Sequence, residues 1–348
     1  MITKKVNSIN LGLKPTPIHK LENISMEYGC EIYIKRDDLI GVGLGGNKVR
    51  KLEYLLKDAK DRGAKVVYTN GALQTNHGML TATCASKLGM KCLLFLKKDD
   101  KKEIEKLSGN LLLDEYIGCD VFFIDVSNIS DSNEANLKFN EEIEKHIEEY
   151  KEKHSLKDEE VYNIPFGGST PLGILGYSEC IKEIMEQDKG FEYIFSGNGS
   201  GGTYGGVFLG CKLYAPNAKA IGVNVMHMPQ DKKTFIKGLI DEALNYYDVK
   251  VEIDESEMKL LSNSINEGYA IPDQETINFI KKMARTEGIF LDPVYSGKIF
   301  NGALKYIDEN LKDSGKKILI IHSGGLPGLF NEPMIDFCSN RSDVLKSK

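Results

Sequence analysis

The residues with the most chemical potential sit at the ends of short apolar runs. Lys48 closes the glycine-rich segment Gly41-Val-Gly-Leu-Gly-Gly-Asn-Lys48, just ahead of residues spaced for a helix. Three further segments share this placement: Asn70-Gly-Ala-Leu-Gln-Thr-Asn-His77, Ser196-Gly-Asn-Gly-Ser-Gly-Gly-Thr203 and His322-Ser-Gly-Gly-Leu-Pro-Gly328. In a parallel sheet, segments of this kind lie at the carboxyl ends of strands, where ligands bind. Glycine lets backbone N–H groups come close to an anion, and a following helix N-terminus adds favourable partial charge. The Ser196–Thr203 segment therefore reads as a phosphate cradle. A tight turn is the simpler reading of any one loop, but four together weaken it.

Two nucleotide motifs are approached and both fail. Gly197, Gly199 and Gly202 match G-x-G-x-x-G, yet the next apolar strand, Ala220–Val225, ends without the acidic residue that would hold a ribose. Gly46-Asn-Lys-Val49 stands where a phosphate-binding P-loop needs G-K-[ST]. A nicotinamide-dependent oxidoreductase is disfavoured accordingly. A lysine beside an anion cradle suits pyridoxal 5'-phosphate, which needs an amine for its Schiff base and groups that tune its ring. Lys48 is the candidate amine, although a lone lysine is more often simply solvated.

These loops need elements to hold them. Glu31–Lys35, Val66–Tyr68, Cys92–Phe95, Val121–Ile124, Val161–Ile164, Tyr193–Phe195, Ile221–Val225 and Ile318–Ile321 read as strands. Val49, Leu52, Leu55, Leu56 and Ala59 recur at helical spacing up to Gly63, and Met79–Leu88 reads as a helix stopped by Gly89. Strands alternating with helices predict an α/β fold of parallel sheets covered on both faces. The charge-dense stretches Lys97–Lys106 and Glu141–Glu160 read as solvated surface.

The chain has 348 residues, with 45 Lys and Arg against 51 Asp and Glu, a net charge of −6. That balance disfavours non-specific nucleic-acid binding. The segment Met1–Pro15 lacks a signal-peptide apolar run, and no stretch is long and apolar enough for a membrane span, so a cytoplasmic protein is expected. Seven scattered cysteines without a CxxC pair indicate buried small hydrophobes and no metal framework. Of the 34 glycines, four fall between Gly41 and Gly46, six between Gly197 and Gly206 and three between Gly324 and Gly328. That clustering is expected where backbone approaches a phosphorylated cofactor.

The segments Lys35-Arg-Asp-Asp38, Gly45-Gly-Asn-Lys-Val-Arg-Lys-Leu-Glu53 and Gln74-Thr-Asn-His77 resemble the D-cysteine desulfhydrase and 1-aminocyclopropane-1-carboxylate (ACC) deaminase family of pyridoxal-phosphate enzymes. The likeness continues in order through Gly199-Ser-Gly-Gly-Thr203, Glu267-Gly-Tyr269, Leu291-Asp-Pro-Val-Tyr-Ser-Gly-Lys298 and His322-Ser-Gly-Gly325. The resemblance implies the tryptophan-synthase-β-like fold of two open parallel-sheet domains with helices on both faces. Residues 1–52 with 169–348 would form the larger domain and 53–168 a smaller inserted one. It further implies a homodimer and a small amino-acid substrate.

By the same resemblance, Lys48 would carry the cofactor as a Schiff base and shuttle the substrate's α-proton. Lys51, on the same helix face, would bind phosphate together with Ser200, Gly201, Gly202 and Thr203. Asn76 would hydrogen-bond the phenolic oxygen, Tyr295 would stack on the pyridine ring, and Ser323 would face its nitrogen. Gln74, Thr75, Asn76, His77, Tyr269 and Ser296 would meet the substrate, with Thr75, Tyr269 and Tyr295 joining Lys48 in catalysis. Thr75 stands where the family usually has serine, adding a methyl and a stiffer χ1.

ACC deaminases of the family carry glutamate and leucine where this chain has Ser296 and Ser323, so the chain resembles the desulfhydrase branch. A hydroxyl does little to hold a proton on the ring nitrogen, leaving a modest electron sink. Such a sink is sufficient when a good leaving group sits on the β-carbon. The reading is α,β-elimination from a small β-substituted amino acid, D-cysteine first, giving pyruvate, ammonia and sulfide. The alternatives are ACC deamination, a lyase for L-cysteine, cysteate or serine, and a non-catalytic ligand-binding protein on the same fold.

Overall fold

The computed structural model describes residues 6–101, 103–227, 231–271 and 273–339. Met1–Lys5 of the amino-terminal segment and Lys102 of the first charge-dense stretch thus lie outside the described residues. In chain order the elements begin with β1 (Ile18–Lys20), α1 (Glu22–Tyr28), β2 (Glu31–Arg36) and α2 (Lys48–Asp61). Next come β3 (Val66–Ala72), α3 (Asn76–Lys87), β4 (Lys91–Lys98), α4 (Gly109–Ile117), β5 (Asp120–Asp125), α5 (Ser132–His154) and β6 (Val161–Asn163). The chain continues with α6 (Pro171–Gln187), β7 (Tyr193–Asn198), α7 (Gly202–Tyr214), β8 (Lys219–Asn224), α8 (Lys232–Tyr247) and β9 (Lys259–Leu261). It ends in α9 (Gln274–Glu287), α10 (Ser296–Asn310), β10 (Lys317–His322) and α11 (Glu332–Ser339).

The strands form two sheets, ordered β1-β2-β10-β7-β8-β9 and β5-β4-β3-β6. All neighbours are parallel except β1, which runs antiparallel to β2. The chain leaves the larger sheet after β2, builds the whole smaller one, and returns at β7. Period-two alternation in β10 explains the layering: Leu319 and Ile321 enter the core on one face, Ile318 and Ile320 the core on the other. Each such buried aliphatic side chain contributes about 1.5–3 kcal/mol. No described helix is long and apolar enough to cross a membrane.

The eight expected strands and both expected helices are present, with small shifts at their ends. Two three-residue edge strands, β1 and β9, escaped the sequence reading because so few residues carry no period. Helix α3 starts at Asn76, three residues before the expected Met79, because Thr75 caps it: its Oγ1 accepts the Gly78 N–H at 3.2 Å. The Glu141–Glu160 stretch lies mostly on α5, whose core contact is the spaced set Ala135, Phe139, Ile143 and Ile147.

Candidate active site

Three of the glycine loops leave the carboxyl ends of neighbouring strands, after β2, β10 and β7, with β10 in the middle. The loops after β2 and β10 pack backbone on backbone. Gly46 pairs with Gly324, and the Asn47 N–H donates to the Ser323 carbonyl at 3.0 Å. A Cβ on Gly324 would fall 2.7 Å from the Gly46 Cα, and one on Gly45 1.8 Å from the Asp38 carbonyl oxygen. Packing of loop on loop thus requires these glycines, a reason for the clustering beside the one expected from the sequence. Gly197, Gly199 and Gly201 of the third loop do line the cleft, joined there by Gly167.

Lys48 and Lys51 begin α2 and point at the turn after β6. Their Nζ atoms donate to the Gly167 carbonyl at 3.5 and 3.0 Å. Burial pushes the Lys48 amine down to about 8. Lys51 lies well below its ordinary range, through burial first and then repulsion from Lys48 and Lys232. Lys232, at the start of α8, is a third amine: a Cβ on Gly201 would sit 3.3 Å from its Nζ, and one on Gly202 2.9 Å from Lys51 Nζ. The amines therefore surround the first turn of α7. Gly201 enters that turn at φ 99°, a left-handed conformation that favours glycine. Ser169 Oγ accepts the Gly202 N–H at 3.1 Å and lies 2.7 Å from Ser200 Oγ. Buried ammonium groups at a helix N-terminus are costly alone and become favourable with an anion between them. The residues present thus fit the phosphate of pyridoxal phosphate.

The loop after β3 faces this cradle across the cleft. His77 Nε2 lies 3.0 Å from Thr69 Oγ1, whose own proton goes to the Ile164 carbonyl at 2.7 Å. Nε2 therefore carries the ring hydrogen, and Nδ1 is a buried atom without a hydrogen-bond partner among the described residues. Burial holds the ring well below its ordinary pKa, so His77 is neutral at pH 7. The Thr75 methyl lies against Gly71 and Gly78, each of whose absent Cβ atoms would come within 3 Å of it. Gln74 spends its amide on the Ser108 carbonyl at 3.0 Å and the Asn110 N–H at 2.8 Å.

The opposite wall carries two phenols. The Tyr269 and Tyr295 hydroxyls hydrogen-bond to each other, with ring centroids 5.9 Å apart at 72°. Burial raises both pKa values, most strongly at Tyr295, so both are protonated at neutral pH. The buried Lys298 Nζ donates to the Ile265 and Gly268 carbonyls at 2.7 and 2.5 Å, fixing the turn that delivers Tyr269. Asp292 accepts the N–H groups of Val294, Tyr295 and Ser296 at 2.9, 2.8 and 2.7 Å, fixing the start of α10 and with it Tyr295.

The structure brings Lys48, Thr75, His77, Ser200, Gly201, Thr203, Tyr269, Tyr295 and Ser323 to one cleft. Ser296 departs from its expected role as a substrate contact: it is buried, and its hydroxyl donates to Asp292 at 2.6 Å. Asn47, which donates to Thr203 Oγ1 at 2.8 Å, as well as Lys232, Ser169, Asn110 and Asp292, were not singled out from sequence. Asn47 and Asp292 sit inside the quoted motifs; nothing in the sequence marks Lys232.

The profile of the family described as pyridoxal-phosphate dependent enzyme matches residues 9–324. The chain belongs to this family. Within the pyridoxal-phosphate-dependent enzymes it is 37% identical to D-cysteine desulfhydrase of Yersinia pestis, over 90% of this chain and 92% of that protein. It is 36% identical to the mitochondrial bifunctional D-cysteine desulfhydrase/1-aminocyclopropane-1-carboxylate deaminase of Arabidopsis thaliana, covering 98% of this chain and 84% of that one. A crystal structure described as an ACC deaminase homologue superposes with a TM-score of 0.81 at 39% identity, covering 94% of both chains. The tryptophan-synthase-β-like fold and the cofactor class read from the sequence are those of this pyridoxal-phosphate-dependent family.

Proposed function

We propose that this enzyme catalyses α,β-elimination on a small β-substituted amino acid, with D-cysteine as the leading substrate. Cysteine and one water would become pyruvate, ammonia and hydrogen sulfide. The observation that carries this reading is the lining around Ser323: no described residue facing the cleft bears a carboxylate. A ring nitrogen lodged beside Ser323 has no anion to keep it protonated. The resulting modest electron withdrawal suits a substrate whose thiolate departs readily.

When bound, pyridoxal phosphate supplies an aldehyde for the substrate amine and a conjugated ring that withdraws electrons from Cα. Lys51, Lys232 and the Ser200–Thr203 turn hold its phosphate. Lys48 Nζ, brought by burial to about 8, anchors it and moves the Cα proton. The substrate carboxylate lies at the N-terminus of α3, where the Thr75 hydroxyl and the positive end of the helix favour an anion. Tyr269, protonated at neutral pH, stands ready as an acid toward the leaving sulfur.

A substrate panel on the purified holoenzyme tests this: pyruvate release from D-cysteine, L-cysteine, cysteate, serine and ACC, with sulfide followed for the cysteines. Turnover of D-cysteine above the rest supports the proposal. Ring opening of ACC without activity on cysteine overturns it in favour of deamination. Absence of the cofactor's visible absorbance after reconstitution points to a non-catalytic binding protein.

A further inference from the structure

Beneath the cleft, two asparagines and a backbone carbonyl form a chain of hydrogen bonds in which every direction is fixed. Asn110, the second residue of α4, is fully buried. Its side chain lies 2.9 Å from the Gln74 carbonyl oxygen, which can only accept, so the facing atom is the Nδ2 donor. The same Nδ2 approaches the Asn76 amide at 2.8 Å, and the Asn76 atom it meets must be Oδ1. An amide orientation is usually inferred from its surroundings; here an unambiguous carbonyl decides two of them in sequence. With Oδ1 engaged, the Asn76 amide has its NH2 left to offer. A Cβ on Gly325 would lie 3.2 Å from that Nδ2, which places it beside the loop after β10.

We propose that Asn110 is a positioning residue that locks the Asn76 amide with its NH2 toward the cofactor, so that Asn76 donates to the phenolic oxygen. The inference rests on the reading of Asn76 as the partner of that oxygen. Asn110 touches neither cofactor nor substrate and works through the direction of one hydrogen bond. Its place is held independently: the Gln74 Oε1 accepts the Asn110 N–H at 2.8 Å, and Gln74 Nε2 donates to the Ser108 carbonyl at 3.0 Å. The Glu332 N–H donates to Ser108 Oγ at 3.0 Å, tying the start of α4 to the segment after β10.

The readout is the pH midpoint of the visible band of bound cofactor, which reports the proton on the Schiff-base nitrogen. A donor on the phenolic oxygen weakens that oxygen's hold on this proton, so losing the donor moves the midpoint up. Asn110→Asp replaces the NH2 with an acceptor and drives the Asn76 amide to turn over; the expected shift is about one pH unit upward, a tenfold change in proton affinity. Asn110→Leu, of similar shape but without a donor, leaves Asn76 free to choose and shifts the midpoint less. If the two variants behave alike, Asn110 only fills space and the proposal is wrong.

A double-mutant cycle separates orientation from the added charge. In an Asn76→Ala background, Asn110→Asp should shift nothing further; a shift that persists there means the new carboxylate acts directly, and the proposal falls. Asn76→Ala alone must itself raise the midpoint. If it does not, the reading of Asn76 fails; if it does and Asn110→Asp does not, only the role of Asn110 fails. Should Asn110→Asp not fold, Asn110→Ser in both backgrounds makes the same comparison, with a smaller shift that Asn76→Ala must again abolish.

Discussion

Lys48 and Lys51 direct their amines at one oxygen, the carbonyl of Gly167, from positions one turn apart on α2. Two buried amines converge on a single partial charge, and burial lowers both pKa values. Lys48 is thereby made a reactive amine, and Lys51, held well below its ordinary range by burial and by its neighbouring amines, regains its charge when an anion sits beside it. The amine that attacks an aldehyde must be neutral. Cofactor uptake by the cofactor-free protein is therefore expected to accelerate as pH rises to about 8, the value to which burial brings Lys48, and then to level off. Lys48→Ala should form no Schiff base at any pH, leaving at most the absorbance of the free aldehyde, while keeping its fold. Stopped-flow absorbance checks both; a band in Lys48→Ala identical to wild type would reject the assignment.

The Tyr269–Tyr295 pair predicts an acid, not a base. Both phenols are held protonated by burial, which raises Tyr295 the more strongly and leaves Tyr269 the more acidic partner. Tyr269→Phe should lower kcat by about a hundredfold or more, while costing about 1 kcal/mol of stability for one lost hydrogen bond. Tyr295→Phe should lower it less, because the Tyr269 hydroxyl remains. Steady-state pyruvate formation with parallel thermal melts tests this; equal losses of kcat in both variants would argue against Tyr269 as the acid.

The glycines of the phosphate turn are not equivalent. A Cβ on Gly202 would meet Ser169 Oγ at 2.6 Å and Lys51 Nζ at 2.9 Å, whereas one on Gly199 would find only Val225 Cγ2 at an ordinary 3.5 Å. Gly202→Ala is expected to weaken cofactor binding roughly tenfold, about 1.4 kcal/mol. Gly199→Ala should keep it within about twofold of wild type, well under that 1.4 kcal/mol. Cofactor titrations followed by absorbance rank them, and the reverse order would contradict the geometry.

The strands, the helix opening at Lys48 and the glycine turn at the start of α7 were legible in the sequence because local pattern dictates them: alternation in Ile318–Ile321, glycines before Thr203. The roles of single polar residues were not. Ser296 looked like a substrate contact beside Tyr295, but its hydroxyl closes a ring with Asp292 four residues back, a choice made by burial and the turn's N–H groups. The surroundings of the Thr75 methyl were not legible either: Gly71 and Gly78 leave it room in the protein wall. The amine of Lys232 reaches the cradle only because α8 packs on α7, a long-range contact that no local pattern encodes.

Asp114 supplies a prediction on pH and stability. It is fully buried in α4, neither carboxylate oxygen has a hydrogen-bond partner among the described residues, and burial raises its pKa to about 7. Between about pH 4 and 7 the folded protein keeps this proton while the unfolded chain has lost it, so stability falls as pH rises through that window. Above pH 7 the penalty is fully present, at most about 4 kcal/mol for a shift of some three pKa units. Asp114→Asn should flatten this slope and raise the melting temperature at pH 8 more than at pH 5. Asp114 lies one helical turn beyond Asn110, so the variant should also hold α4, and the Asn76 amide with it, more firmly at alkaline pH. Urea unfolding of wild type and Asp114→Asn at both pH values is the measurement, and an equal gain at pH 5 and pH 8 would show that Asp114 is not the group that titrates.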